Sequence, residues 1–142
     1  MSFDLKITDN DLSINPDGTL QTVQENDKLV QDIVKAILTP LGSNLFFKWY
    51  GCAIGAKTIG QIYDETTIQM EVERSIQDTL TNIIALQQAQ AQSQYVSAGE
   101  TIAAIQNVSV MRSEIDPRQF EIYVSILTRK LTPLDIQFTL TV

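Results

Sequence analysis

The chain of 142 residues contains no histidine. Histidine is the usual general base near neutral pH, the partner of most serine and cysteine nucleophiles and the commonest metal ligand, so these devices are excluded. Cys52 is the single cysteine, which rules out an intramolecular disulfide and a thiolate metal cluster. We interpret Cys52 as a buried structural thiol. Any catalysis would have to rest on carboxylates, lysine or tyrosine, and we expect no cofactor.

Positive charge and long apolar runs are also scarce. Ten Lys and Arg residues stand against 17 Asp and Glu, a net charge of −7, and only Arg129 and Lys130 are adjacent basic residues. Nucleic-acid binding needs clustered positive charge, and a membrane-spanning helix needs about 20 apolar residues. The first residues, Met1 to Lys6, lack the features of a secretory signal. We therefore expect neither nucleic acid nor membrane as a partner, and a cytoplasmic protein until a larger assembly incorporates it.

What is present is an ordinary globular composition, with 44% hydrophobic and 19% charged residues. This favours a single domain spanning 1–142. Alternating apolar residues predict short N-terminal strands within 1–23. Pro16 and Gly18 suit a type I turn, so Leu12–Ile14 and Leu20–Val23 are predicted to form a hairpin.

Two helices are predicted from apolar residues at helical spacing. The first covers 26–39, with Asn26 as N-cap and Pro40 ending it. The second covers 64–94, beginning near a T-x-x-Q capping box at Thr66–Gln69. Its glutamine- and alanine-rich end is expected to be mostly a solvated helical face.

The segment 41–60 between the helices is rich in glycine and aromatic residues. It is too apolar to be freely solvated. Packing over the core is the favoured interpretation, docking on a partner is the second, and base stacking is the least favoured. The aromatic residues concerned are Phe46, Phe47, Trp49 and Tyr50.

Period-two alternation predicts antiparallel strands within 103–142. The expected fold class is α+β, with two main helices packed on a small antiparallel sheet and an N-terminal hairpin. The last strand, Leu134–Val142, carries only Asp135 as a charge and is expected to be an unprotected edge that accepts a strand from a partner. The candidate contact residues on this strand are Leu134, Ile136, Phe138, Leu140 and Val142.

The stretch Leu38–Asn44 (L-T-P-L-G-S-N), continued by Trp49–Gly51, resembles the baseplate wedge or sheath-initiator family of contractile phage tails, type VI secretion and related injection systems. The closing stretch Leu131–Ile136 looks similar as well. The resemblance implies a non-enzymatic subunit at the tail baseplate of the virion, made in the host cytoplasm during assembly. Its implied partners are the tail sheath protein and baseplate wedge proteins, with the tail tube or hub as a further candidate, and several copies would stand in a symmetric assembly.

The sequence departs from this family at one motif. Family members often carry Glu-Pro-Arg where the long helix gives way to the sheet, and Gly99–Thr101 does not show it. Asp116–Arg118 looks similar but lies one strand later, in a turn. The resemblance therefore assigns no residue to the wedge contact.

An enzymatic alternative remains, because the family is also described as lysozyme-like. Glycoside hydrolysis requires two carboxyl groups facing each other across a cleft. Glu71 and Glu114 are candidates, but nothing in the sequence selects a pair, so we assign no catalytic, cofactor or metal residues. An adaptor in another bacterial complex is a third possibility.

Overall fold

A computed structural model describes residues 2–60 and 64–142 of the chain; Met1, the first residue of the expected N-terminal strands, lies outside them. Short strands come first, helices occupy the middle, and three long strands come last. The strands are β1 (Phe3–Leu5), β2 (Ile7–Thr8), β3 (Asp11–Leu12), β4 (Thr22–Gln24), β5 (Ile102–Arg112), β6 (Gln119–Thr128) and β7 (Pro133–Thr141). The helices are α1 (Glu25–Leu38), α2 (Ile54–Thr58) and α3 (Glu65–Gln90), and a 3-10 turn spans Ala98–Glu100.

The three long strands form an antiparallel meander in the order β5-β6-β7. β6 is the central strand, and its alternate residues are fully buried. α3 packs against β5, while α1 contacts both α3 and β7. The predicted α+β architecture, two main helices on a small antiparallel sheet, is confirmed. The most deeply buried apolar side chains, at 2% exposure or less, are Leu29, Ile33, Ala36, Ile37, Val72, Ile76, Leu80, Ile102, Ile122, Val124 and Ile126.

Helix α1 has two apolar faces. Leu29, Ile33 and Ile37 enter the core, whereas a flanking face carries Val30 and Val34, which are partly buried against the core, and Leu38, which is exposed. The expected N-cap at Asn26 is wrong, because the helix begins at Glu25 and Gln24 occupies the cap position. The Oδ1 atom of Asn26 is instead buried and finds no donor within the described residues.

Helix α3 begins at Glu65, with Asp64 as its N-cap residue. The expected capping box at Thr66 is wrong, since Thr66 lies inside the first turn and the hydroxyl of Thr67 donates to the Asp64 carboxylate. The helix ends at Gln90, four residues before the expected end. Within the described residues, no helix combines the length and the apolar character needed to cross a membrane.

The expected hairpin between Leu12–Ile14 and Leu20–Val23 is present around the antiparallel bridge of Ile14 with Leu20, where Asn15 N–H donates to Thr19 O at 2.8 Å and Gln21 N–H to Ser13 O at 2.9 Å. The regular strands add pairing that was not expected: β1 pairs with β4 and β2 with β3. The β2–β3 pairing arises at Asp9 and Asn10, whose φ angles of 52° and 64° make a two-residue turn with both residues left-handed. That turn type favours a tight hairpin. The expected turn around Pro16 is present, because Gly18 N–H donates to Asn15 O at 2.9 Å.

Candidate partner-binding site

The side chains of β7 alternate between the core and the surface. Ile136 is 4% exposed, and the remaining even-numbered residues pack on the core while keeping part of their surface exposed. The intervening odd-numbered residues are exposed. The candidate contact residues therefore hold β7 on the core, and they leave its backbone as the group that a partner could reach. The residues that pack inward are Leu134, Ile136, Phe138, Leu140 and Val142.

The backbone of β7 presents alternate residues to the free edge. Hydrogen bonds at both ends of the β6–β7 ladder show which residues of β7 bond to β6. Thr128 N–H donates to Thr132 O at 3.1 Å, and Val142 N–H donates to Arg118 O at 2.9 Å. The register between them is unbroken. Hydrogen-bonded pairs alternate along an antiparallel ladder, so the even-numbered residues of β7 bond to β6 and the odd-numbered ones point away.

The outward-pointing amides form a row of unused hydrogen-bonding groups. Pro133 contributes no N–H, and the remaining four residues each contribute one donor and one acceptor. Among residues 2–60 and 64–142, no hydrogen bond from these four amides is found within the chain. This free edge, which we call the β7 edge, can pair with an extended segment from another chain. Its outward-pointing amides belong to Asp135, Gln137, Thr139 and Thr141.

The opposite edge of the sheet, at β5, is protected. A carboxylate oxygen of Glu73, from α3, accepts the N–H of Val110 at 3.4 Å. The β5–β6 register also shifts twice, between Ile102 and Ala104 and between Ile105 and Asn107. Irregular register and capping side chains are devices by which proteins prevent strand addition. The β5 edge is therefore partly protected, whereas the β7 edge is regular and open.

Amide hydrogen exchange along β7 is expected to alternate. Gln137 and Thr139 should exchange at least about a hundredfold faster than Phe138 and Leu140, because only the latter donate to β6. Nuclear magnetic resonance on the isolated protein measures each rate separately. Uniform protection along the strand would mean that the β7 edge is already covered.

The aromatic segment projects from a closed base. Leu41 N–H donates to Cys52 O at 3.0 Å and Cys52 N–H to Thr39 O at 2.8 Å, and the two chain segments make a parallel bridge. Within the loop, the Asn44 Oδ1 atom accepts the N–H groups of Phe46 and Phe47 at 2.9 and 3.1 Å. This turn pre-organises the loop tip.

The tip of this loop is exposed rather than packed. Phe46 is 88% exposed, Phe47 54% and Trp49 47%, whereas Tyr50 packs on the core. The core-packing interpretation is therefore wrong for three of the four aromatic residues and right for Tyr50. The rings of Phe47 and Trp49 meet edge to face, 5.9 Å apart. We call Phe46, Phe47 and Trp49 the aromatic patch.

Part of the expected 41–60 loop is helical. Ile54 begins α2 and is 3% exposed, so this end of the segment belongs to the core. The Cys52 thiol is buried as expected, and burial raises its pKa. A raised pKa disfavours the reactive thiolate, which fits a structural role.

The two candidate catalytic carboxylates lie at the surface of the described structure. Glu71 faces Lys57 at 3.5 Å on the helix surface, and Glu114 is exposed beside the β5–β6 turn. Glu100, which the sequence did not single out, is 3% exposed and accepts the Ser2 hydroxyl at 2.8 Å. Within the described part of the chain, no cluster of three or more metal-ligating side chains is present.

Comparison with known proteins gives a similarity in fold. No family model and no curated protein matches the sequence. Among solved structures, the chain is similar to a “putative tail lysozyme” from Geobacter sulfurreducens, with a TM-score of 0.60 and 14% sequence identity. The match covers 82% of this chain and 89% of that one. At such low identity the match shows a shared fold over most of both chains.

Proposed function

We propose that the protein is a structural baseplate component of a contractile tail, which joins the baseplate wedge to the first sheath ring and templates sheath assembly. The observation that carries this proposal is the open, regular β7 edge on a sheet whose other edge is partly protected. The fold shared with a protein named for tails supports a tail-associated role. The family resemblance of Leu38–Asn44 and Trp49–Gly51 gives the finer assignment.

In this function, a strand of the first sheath subunit extends the sheet at β7. The four outward N–H groups and their carbonyls supply main-chain hydrogen bonds, and alternate side chains set the register. An incoming strand with apolar residues on its inner face would cover the exposed parts of Leu134 and Phe138. A basic residue near Asp135 on its outer face would add a favourable cross-strand pair.

Electron cryomicroscopy of assembled particles tests this arrangement directly. The expected result is a strand from a different chain, hydrogen-bonded to Gln137 and Thr139. If the β7 edge faces solvent in the assembled particle, or is covered by this chain's own N-terminal strands, the proposal is wrong.

We further propose that the aromatic patch contacts the wedge. Exposed aromatic side chains on a pre-organised loop are typical interface anchors. Replacing Phe46 and Phe47 by serine is expected to weaken wedge binding by about several hundredfold, because each of the two anchors contributes on the order of 2 kcal/mol. Thermal stability should change little, since both side chains are solvated in the isolated chain. Pull-down with purified wedge protein and thermal unfolding measure the two effects.

A matched control lies at the far turns of the sheet. Ile115 is 96% and Leu131 75% exposed, so replacing both by serine removes comparable apolar surface away from the patch. This control should bind the wedge normally. Equal loss in the control and the patch variant would show that the aromatic residues are not the anchors.

A peptidoglycan-cleaving enzyme is the second candidate, favoured by the name of the structurally similar protein. A cell-wall turbidity assay separates the two functions. We expect no clearing, because Glu71 is ion-paired with Lys57 on the helix surface and Glu114 is exposed beside the β5–β6 turn, whereas a catalytic acid needs an apolar pocket. Clearing by the wild-type protein that disappears in Glu71→Gln or Glu114→Gln would favour the enzyme.

A further inference from the structure

An open groove separates the N-terminal strands from the flanking face of α1, where Val30 and Val34 are only partly buried. Its volume is about 1510 Å³. Val30, Val34 and Leu38 line it from α1, Leu20 and Val23 come from the strand side, and Tyr50 also contributes. None of these residues belongs to the β7 edge, so the groove is a separate surface.

Polar contacts hold the N-terminal strands beside α1. The amide of Gln31 donates to Leu5 O at 2.8 Å and accepts the Ile7 N–H at 2.9 Å. Lys35 forms an ion pair with Asp4, and the hydrogen bond from Lys35 is the main cause that lowers the pKa of Asp4. These contacts fix the strands at the rim of the groove without filling its apolar floor.

The groove retains much exposed apolar surface. Leu20 is 46%, Leu38 44% and Ile7 42% exposed, and all three line the groove. The N-terminal strands β1–β4 form two two-stranded ribbons, and a ribbon of two strands is at best marginally stable alone. An apolar floor bordered by polar side chains is the form of a protein-binding groove.

We propose that this groove binds an amphipathic helix of a different protein, with basic residues along one flank. From Asp27 to Leu38 the groove follows α1 for about 17 Å, and a helix of that length and about 10 Å diameter occupies roughly 1300 Å³. Val30, Val34 and Leu38 repeat at intervals of four residues, which is the ridge spacing that a second helix packs against. The occupant is therefore about three turns of helix with apolar residues at matching intervals.

Charge selects a basic partner over a second copy of this chain. Asp9 and Asp27 line the groove, and within the described residues no cation lies within salt-bridge distance of either. Lys35 also lines the groove, but it is paired with Asp4 and Asp32. Besides Asp9 and Asp27, Lys6 is therefore the remaining unpaired charge among the described groove residues. The net charge of −7 opposes association of two copies and favours a positively charged flank.

Two synthetic peptides of 15 residues test this inference. Both carry leucine at four-residue spacing; one has lysine and its twin has glutamate on the flank. Methyl resonances of Val30, Val34 and Leu38 are followed during titration of the full-length protein. The lysine peptide is expected to shift these methyls and to bind roughly threefold to tenfold more tightly than its twin at low salt, with the ratio shrinking as salt is added.

Variants of the groove floor complete the experiment. Val34→Glu should reduce binding of the lysine peptide at least tenfold. If Val34→Glu fails to fold, Leu38→Glu is used in its place. This variant is expected to fold because Leu38 is substantially exposed in the native chain. Absence of methyl shifts up to about 1 mM peptide, equal affinity for both peptides, or binding unchanged in the variants would overturn the inference. A concentration-dependent dimer that Val34→Glu dissolves would also overturn it, since the occupant would then be a second copy.

Discussion

Replacing Gln137 and Thr139 by proline is expected to stop sheath assembly on the baseplate while the isolated chain still folds. Both residues point their N–H groups away from β6, so the substitutions remove no ladder hydrogen bond within the sheet. Proline is tolerated on an edge strand when the missing N–H faces solvent. β7 would lose two of the four N–H donors that it offers to an incoming strand, and the incoming strand would meet two pyrrolidine rings.

The expected loss of strand affinity is at least about thirtyfold, because each main-chain hydrogen bond contributes on the order of 1 kcal/mol and two are removed. Sheath polymerisation on purified baseplates, observed by electron microscopy, measures this effect. Circular dichroism and thermal unfolding of the isolated variant measure the fold. The midpoint of unfolding should shift only slightly, since proline also restricts the unfolded chain.

Two control variants separate the loss of outward N–H groups from a change of side chains and from a loss of folding. Exchanging the two residues, Gln137→Thr with Thr139→Gln, keeps composition and both N–H groups, so sheath assembly should be normal. Phe138→Pro removes an N–H that donates to β6 and should destabilise the domain. Truncation of 134–142 is less informative because Ile136 belongs to the core. Normal sheath growth from the double proline variant would exclude strand addition at β7.

The β7 edge shows how far the sequence alone could be interpreted. Its period-two pattern is local, so the sequence indicated a half-buried strand, found at Pro133–Thr141. Which amides face the partner depends on the register with β6, a non-local property. The candidate contact residues named from the sequence were the apolar ones, and the structure turns them inward.

Other features depend on contacts between distant parts of the chain. Gln87, expected on a solvated helix face, is 8% exposed; its side chain donates to Glu100 O at 2.8 Å and accepts the Ile102 N–H at 2.9 Å. Helical periodicity cannot distinguish a buried amide with such partners from a solvated one. The turn at Asp9 and Asn10 did leave a signal, because these residue types tolerate left-handed backbone.

Gly51 marks the most constrained position in the base of the aromatic loop. Its φ is 115°, a conformation that disfavours any side chain, and a Cβ atom there would lie 2.6 Å from Thr39 O and 2.9 Å from Pro40 O. The crowding atoms are backbone atoms held by the hydrogen bonds between Thr39, Leu41 and Cys52. They cannot move aside without opening the loop.

Gly51→Ala is therefore expected to lower the free energy of unfolding by about 3 kcal/mol, combining backbone strain with steric overlap. Urea denaturation measures the change. Gly18→Ala is the matched control: Gly18 also has a positive φ, 84°, but a Cβ atom added there would meet no other atom within 4 Å, so only about 1 kcal/mol should be lost.

The difference in the free energy of unfolding between Gly51→Ala and Gly18→Ala separates the cost of steric overlap from the cost of a side chain at positive φ. If the loop base opens to relieve the overlap in Gly51→Ala, the aromatic patch loses its fixed geometry, and wedge binding should fall even where enough folded protein remains. Because Thr79 donates from α3 to Gly51 O at 3.3 Å, part of the strain would also reach the core. Equal losses of stability in Gly51→Ala and Gly18→Ala would instead show that the close approach of the two segments contributes nothing, and that the loop base is free to adjust.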